Sequence, residues 1–223
     1  FLSGDLSPTN SVYNAAFEAR CLASQGNMFH KPWDIMSWSF TLNWDRNRML
    51  SQKSVVQLTQ EAAQIMALGG GFQAYFQQNR DASIKPWQIP TMKGLSEFIR
   101  PRQPYCQYAA PIHQIALLYS NEAHKRNSKV VFNNDGLDGL KGILNALLDG
   151  QQTVEVVMEH HLHQAMGRYP MIIIPEWNYL QPEFKTELLT YVERGGKLIV
   201  IGPEAVQLFE KESGIQITGK SVV

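Results

Sequence analysis

Residues 170–203, PMIIIPEWNYLQPEFKTELLTYVERGGKLIVIGP, decide the fold. Met171–Pro175 is an unbroken apolar run, too short for an ordinary helix and rich in isoleucine, so it reads as a strand buried on both faces. Pro182–Arg194 then places Phe184, Leu188, Leu189 and Val192 at helical spacing. Gly195-Gly196 supplies the left-handed residue that closes such a helix. Lys197–Ile201 is a second apolar strand. Strand, helix, glycine turn and strand make a βαβ crossover, which belongs to a parallel sheet.

The flanking sequence extends that sheet. Ile112–Tyr119 reads as its first strand, Glu122–Asp135 as a polar loop, and Leu137–Leu148 as a helix with Leu140, Ile143, Leu144, Leu147 and Leu148 on one face. Val154–Met158 is the next strand, followed by a short helix around Leu162–Arg168. The expectation is a doubly wound, flavodoxin-like α/β domain over residues 105–223. Its joint with the preceding part lies in Arg100–Pro111, which carries three prolines and no periodicity.

Residues 1–104 repeat strand and helix three times, with roughly 35 residues per unit, the rhythm of a (β/α) barrel. Phe1–Gly4 is a strand ending at Asp5, and Val12, Ala15, Ala16, Ala19 and Leu22 trace a helix that ends near Gly26. Trp33–Phe40 is the second strand, Asn43–Gln52 a polar loop, and Val55–Leu68 an amphipathic helix broken by Gly69-Gly70-Gly71. Phe72–Phe76 is the third strand, and Met92–Ile99 opens another helix. Three units are fewer than the eight that close a TIM-type barrel. With Phe1 reading as mid-strand, the chain is expected to be the C-terminal piece of a longer protein, whose missing strands or a partner cover its open edges.

Composition narrows the function classes. Lys+Arg and Asp+Glu both number 20, which argues against nucleic acid or a membrane surface as partner. No apolar run approaches the roughly 20 residues needed to span a bilayer. Hydrophobic content of 44 % against 18 % charged residues supports a sizeable core. Cys21 and Cys106 fit neither a zinc spacing nor a disulfide framework.

Chemistry in a barrel sits at the C-terminal ends of its strands. Those ends carry Asp5, Ser37-Trp38-Ser39 and Gln77-Gln78-Asn79, with Trp44 and Trp87 following. A carboxylate beside aromatic surface is what a sugar site requires: charge for an oxocarbenium-like state and flat apolar faces for a pyranose ring. Asp5 is therefore the candidate catalytic residue, and Trp38, Trp44 and Gln77 the candidate substrate-binding residues. The competing readings are that Asp5 shapes the Ser-Pro turn and that the tryptophans pack. Glu18 within a helix and Asp34 at the start of a strand read as structural. Glu159-His160-His161-Leu162-His163 occupies a strand-to-helix turn whose side chains diverge, so no metal is expected. No cofactor is expected either. Ser120-Asn121-Glu122-Ala123 lacks the dinucleotide glycines, and Gly202-Pro203-Glu204 lacks a nucleophile at the turn.

The order of elements, with GGGFQAYFQQNRD, QIALLYS, LDGLKGILNALLDGQQTVEVV, YPMIIIPEWNYL and YVERGGKLIVIG, resembles the C-terminal half of family-42-type glycoside hydrolases. Related putative α-L-fucosidases are similar. Those enzymes join a (β/α)8 catalytic barrel to a β-galactosidase trimerisation domain with a class I glutamine amidotransferase-like fold. The resemblance implies that FLSGDLSP, WDIMSWSF and GGGFQAYFQQNRD are the last three barrel strands. It implies a carbohydrate substrate, a β-galactoside or α-L-fucoside, and a homo-oligomer, dimer or trimer, assembled through a second domain without a catalytic cysteine. The family's strand-seven glutamate is replaced by Met36-Ser37-Trp38-Ser39, and the strand-four acid/base lies outside this sequence. The isolated chain is accordingly expected to be inactive. The alternative is a non-catalytic oligomerisation or carbohydrate-binding module.

Overall fold

A computed structural model describes residues 1–6, 12–43, 48–128 and 136–219. The chain is mixed α/β and divides into two compact units, Phe1–Pro111 and Ile112–Val223. The division falls beyond the expected 104/105, so the short helix after Arg102 and the turn to Pro111 belong to the first unit. Within that unit Gly69, in its left-handed conformation (φ 86°), lies with its backbone directly against Ala109.

In the first unit β1 (Leu2–Leu6), α1 (Val12–Phe29), β2 (Trp33–Trp38), β3 (Phe40–Asn43), β4 (Arg48–Gln52), α2 (Val55–Met66), β5 (Gly71–Tyr75), α3 (Ile89–Ile99) and α4 (Gln103–Cys106) follow in order. Three strands pair in parallel in the order β1-β2-β5, each new strand added at the same edge. Leu6 and Ile35 point toward the helices and pack with Ala15, Ala19, Ala23 and Ile65. The alanine stripe lets α1 approach the sheet closely, and the Trp33 indole fills the spaces left by Gly26 and Gly70. Leu58, Ala62, Met66 and Leu95 form a second cluster between α2 and α3. Each wholly buried leucine or isoleucine contributes about 1.5–3 kcal/mol.

The stretch 43–52, expected to be a polar loop, contains β4, which pairs antiparallel with β3 and has an irregular register at Thr41/Leu42. Its residues carry little alternating apolarity; pairing with the neighbouring strand makes it a strand. Trp44 lies outside the described residues.

The second unit contains β6 (Ile115–Leu118), α5 (Asn121–Asn127), α6 (Asp138–Asp149), β7 (Val154–Val157), α7 (Glu159–Leu162), β8 (Met171–Pro175), α8 (Pro182–Glu193), β9 (Lys197–Ile201), α9 (Pro203–Gln207) and α10 (Glu210–Ser213). All four strands are parallel, in the order β7-β6-β8-β9, so this sheet grows from β6 in both directions. β6 and β7 are buried throughout, as expected of strands covered on both faces. The β8–α8–β9 crossover forms as read, with Gly195 left-handed at φ 95°. Two expectations are corrected. Asn121–Asn127, placed in a polar loop, is a helix, because Ser120 Oγ accepts the Ala123 N–H at 3.1 Å and caps it. The helix expected at 162–168 is instead α7 followed by a single 3-10 turn at Met166–Arg168.

Candidate functional site

Alternation along the first sheet separates two faces. Leu2, Leu6, Ile35 and Phe72 turn toward the helices. Ser3, Asp5, Asp34, Met36, Trp38, Gln73 and Tyr75 occupy the other face, where Ser3, Asp5 and Gln73 are exposed and Trp38 and Tyr75 half-buried. The amino-terminal end of this face is stitched by Asp34, which accepts from Ser3 Oγ at 2.7 Å and from Gln73 Nε2. Asp34 thus has the structural role read for it.

At the carboxyl-terminal end the Trp38 indole Nε1 donates to Asp5 Oδ1 at 2.6 Å. Tyr75 meets Trp38 edge-on with centroids 5.4 Å apart, and Phe40 lies 5.5 Å from Trp38 and 5.2 Å from Tyr75. The result is one carboxylate held by an indole beside an aromatic surface. Asp5 and Trp38 are brought together; Gln77 is not joined to them. Its side chain accepts from Lys85 Nζ at 3.4 Å and its carbonyl from Gln88 Nε2 at 3.2 Å. Glu18 accepts the Asp5 backbone N–H at 3.0 Å, and its carboxylate fills the space beside Gly4 on the helix side of the sheet, away from the Asp5 side chain.

Three neighbouring side chains, Tyr75, Lys53 and Glu61, were not singled out in the sequence. Tyr75 sits inside a strand of ordinary composition. Beneath the Trp38 corner, Lys53 Nζ pairs with Glu61 Oε1 at 2.9 Å, and Ser37 Oγ donates to Glu61 as well. Lys53 Nζ also reaches Ser37 Oγ at 3.3 Å. This network ties β2, the end of the hairpin and α2 together.

The carboxyl-terminal edge of the second sheet is where a doubly wound fold binds ligands, at the point where strand order reverses, here between β6 and β8. Its own side chains occupy it. Tyr119 and Trp177 stack with centroids 6.0 Å apart, and Trp177 Nε1 donates to the Leu118 carbonyl at 2.8 Å. Glu159 accepts from Ser120 Oγ at 2.5 Å and from the Asn121 N–H at 3.0 Å. The Glu176 carboxylate lies against Gly139 in the first turn of α6, taking the place an anionic ligand would use.

Within the histidine cluster the His160 and His161 rings lie together, with centroids 4.1 Å apart, while His163 turns to another partner. His161 Nδ1 accepts the Met158 N–H at 2.9 Å, and His163 Nδ1 lies 2.7 Å from Glu187. Burial, and then the neighbouring His160, hold His161 down at about 4. Among the described residues no group of three or more His, Cys, Asp or Glu is placed to hold a metal ion. Among the same residues, no helix is long and apolar enough to cross a membrane.

No protein-family model matches the sequence, and no curated protein matches it in sequence. Solved structures do match the fold. α-L-Fucosidase isoenzyme 2 from Paenibacillus thiaminolyticus superposes with a TM-score of 0.71 at 17 % identity, over 89 % of this chain and 29 % of that one. A catalytic mutant of Gan42B, a GH42 β-galactosidase from G. stearothermophilus, gives 0.66 at 15 %, over 89 % and 32 %. The β-galactosidase from the psychrophilic Marinomonas ef1 gives 0.59 at 14 %, over 86 % and 31 %. At these identities the likeness is one of fold, and it falls on the two groups of glycoside hydrolases that the sequence motifs resemble. The chain spans less than a third of the length of each.

Proposed function

We propose that these residues are part of a glycoside hydrolase acting on O-glycosidic bonds of the α-L-fucoside or β-galactoside type. In this reading the first unit is the last arc of a (β/α)8 barrel. The second is a class I glutamine amidotransferase-like module that assembles subunits and walls a sugar pocket. The observation that carries the reading is the Asp5–Trp38 hydrogen bond at the carboxyl ends of β1 and β2, on a sheet face that stays open. One-directional addition of parallel strands suits a closed barrel, and a polar inner face left bare suits one whose remaining strands are elsewhere.

In this reading each residue has a role. Trp38 fixes one Asp5 oxygen, leaving the other to face a sugar, and Trp38 with Tyr75 offers ring surface on which a pyranose stacks. Retaining hydrolysis requires a second carboxylate about 5 Å away. Glu18 turns to the other face of the sheet, so in this reading it is not that partner. The test is the longer protein. Asp5→Ala should lower kcat on aryl fucosides or galactosides by at least about 100-fold, in the range that a positioned acid/base group supplies. The isolated 223 residues should show no turnover. Hydrolysis by the isolated chain, or an unchanged kcat in Asp5→Ala, refutes the assignment.

The second reading, a non-catalytic assembly module, is favoured for the second unit by its self-filled crevice and by exposed Val192 and Ile199. Gel filtration with light scattering separates the two: a dimer or trimer supports assembly, and a monomer that binds sugar supports a carbohydrate-binding role.

A further inference from the structure

We propose that the second unit binds a small anionic ligand, carrying a phosphate or carboxylate group, in a cleft at the amino-terminal end of β8 beside the glycine turn after α8. The cleft is about 650 Å³, within the range of small-molecule sites. Tyr169 and Tyr191 line it, each only 7 % exposed. The Tyr191 hydroxyl is committed to the Tyr169 carbonyl at 3.0 Å and to the Lys197 N–H at 3.1 Å, so the floor is fixed.

Two arginines, Arg168 and Arg194, line this cleft, and among the described residues neither side chain makes a hydrogen bond or an ion pair. Glu187 is the single carboxylate of the lining, and His163 already holds it at 2.7 Å. Thr186 and Thr190 turn their hydroxyls back onto carbonyls of their own helix, at 3.0 and 3.1 Å, and so leave the charge balance to the arginines.

A cation at Arg194 would by itself be explained by the end of α8, where the helix carries about half a negative charge. That explanation covers one arginine. It does not cover a second on the separate segment before β8, lining the same cleft. Two full positive charges outweigh the half charge of the helix end. Their planar forks match the paired oxygens of a phosphate or carboxylate. This site is independent of the glycosidase reading and lies in a different unit from Asp5.

Isothermal titration of the 223-residue chain with inorganic phosphate, glucose 1-phosphate and glucuronate, with glucose as the neutral control, tests the proposal. At low ionic strength at least one anion should bind one-to-one and glucose should not. The phosphate and carboxylate arms identify which group is preferred. Arg168→Gln and Arg194→Gln should each weaken binding by roughly tenfold or more, as expected for a lost charge-assisted hydrogen bond. Both residues are exposed, so circular dichroism should stay unchanged, and the thermal midpoint should move by no more than the loss of one helix-end charge. No binding of any anion at millimolar concentration overturns the proposal, as does equal affinity in the double variant.

Discussion

Lys53 Nζ and Glu61 Oε1 are 2.9 Å apart in a place water does not reach, with side-chain exposures of 2 % and 0 %. Ser37, equally buried, donates to the same carboxylate. Removing one member leaves the other charged and unsatisfied. Glu61→Ala should cost about 3–5 kcal/mol in urea denaturation, whereas Lys53→Met with Glu61→Leu and Ser37→Ala should be close to neutral. If the single substitution cost less than about 1 kcal/mol, within the range of an exposed pair, the pair would have to be solvated.

The Trp38 indole has two separable roles at the proposed sugar site. Trp38→Phe keeps ring contacts with Phe40 and Tyr75 but removes the donor to Asp5. In the longer protein it should lower kcat roughly tenfold, the value of one hydrogen bond to a charged group, with KM little changed. Trp38→Ala should also raise KM. Steady-state kinetics on an aryl glycoside distinguishes the two.

Two glycines should respond oppositely to alanine. Gly142 lies within α6 with open space around it, so Gly142→Ala should stabilise by about 0.5–1 kcal/mol through helix propensity. A Cβ on Gly196 would run into the Tyr191 ring, which anchors the start of β9. Gly196→Ala should therefore destabilise by about 1–3 kcal/mol. Thermal unfolding of the two variants, side by side, reads both signs.

His161 makes the second unit sensitive to acid. Its folded value of about 4 lies below the ordinary 6.5, so the unfolded chain binds the proton more readily. Stability is complete above pH 6.5 and declines as pH falls toward 4. Protonation at Nδ1 would remove the acceptor for the Met158 N–H, while the buried Nε2 has no partner. His161→Gln should flatten the midpoint-versus-pH curve between 4 and 6.5, leaving the neutral-pH plateau less affected.

What was legible in the sequence follows physical lines. The β8–α8–β9 crossover could be read because its apolar runs, helical spacing and glycine turn are local signals that agree. β4 could not, since Arg48–Gln52 becomes a strand only by pairing with β3. α5 escaped because it buries just Ala123 and so has no apolar stripe; the cap at Ser120 was its one signal. Asp5 and Trp38 emerged from the rule that chemistry gathers at strand ends. Tyr75 did not, and neither did the Lys53–Glu61–Ser37 network, whose members are separated by spacings no motif describes.

The Asp34 carboxylate has a bearing on folding fidelity. It clasps all three strands of the first sheet through one side chain, with Ser3 on one flank and Gln73 on the other. A slip of either neighbour by one residue would swing its polar group to the opposite face and leave a nearly inaccessible anion stranded. Misaligned pairings of this short sheet are thereby penalised at a single point, and the alignment that survives is the one that sets Asp5 within reach of Trp38.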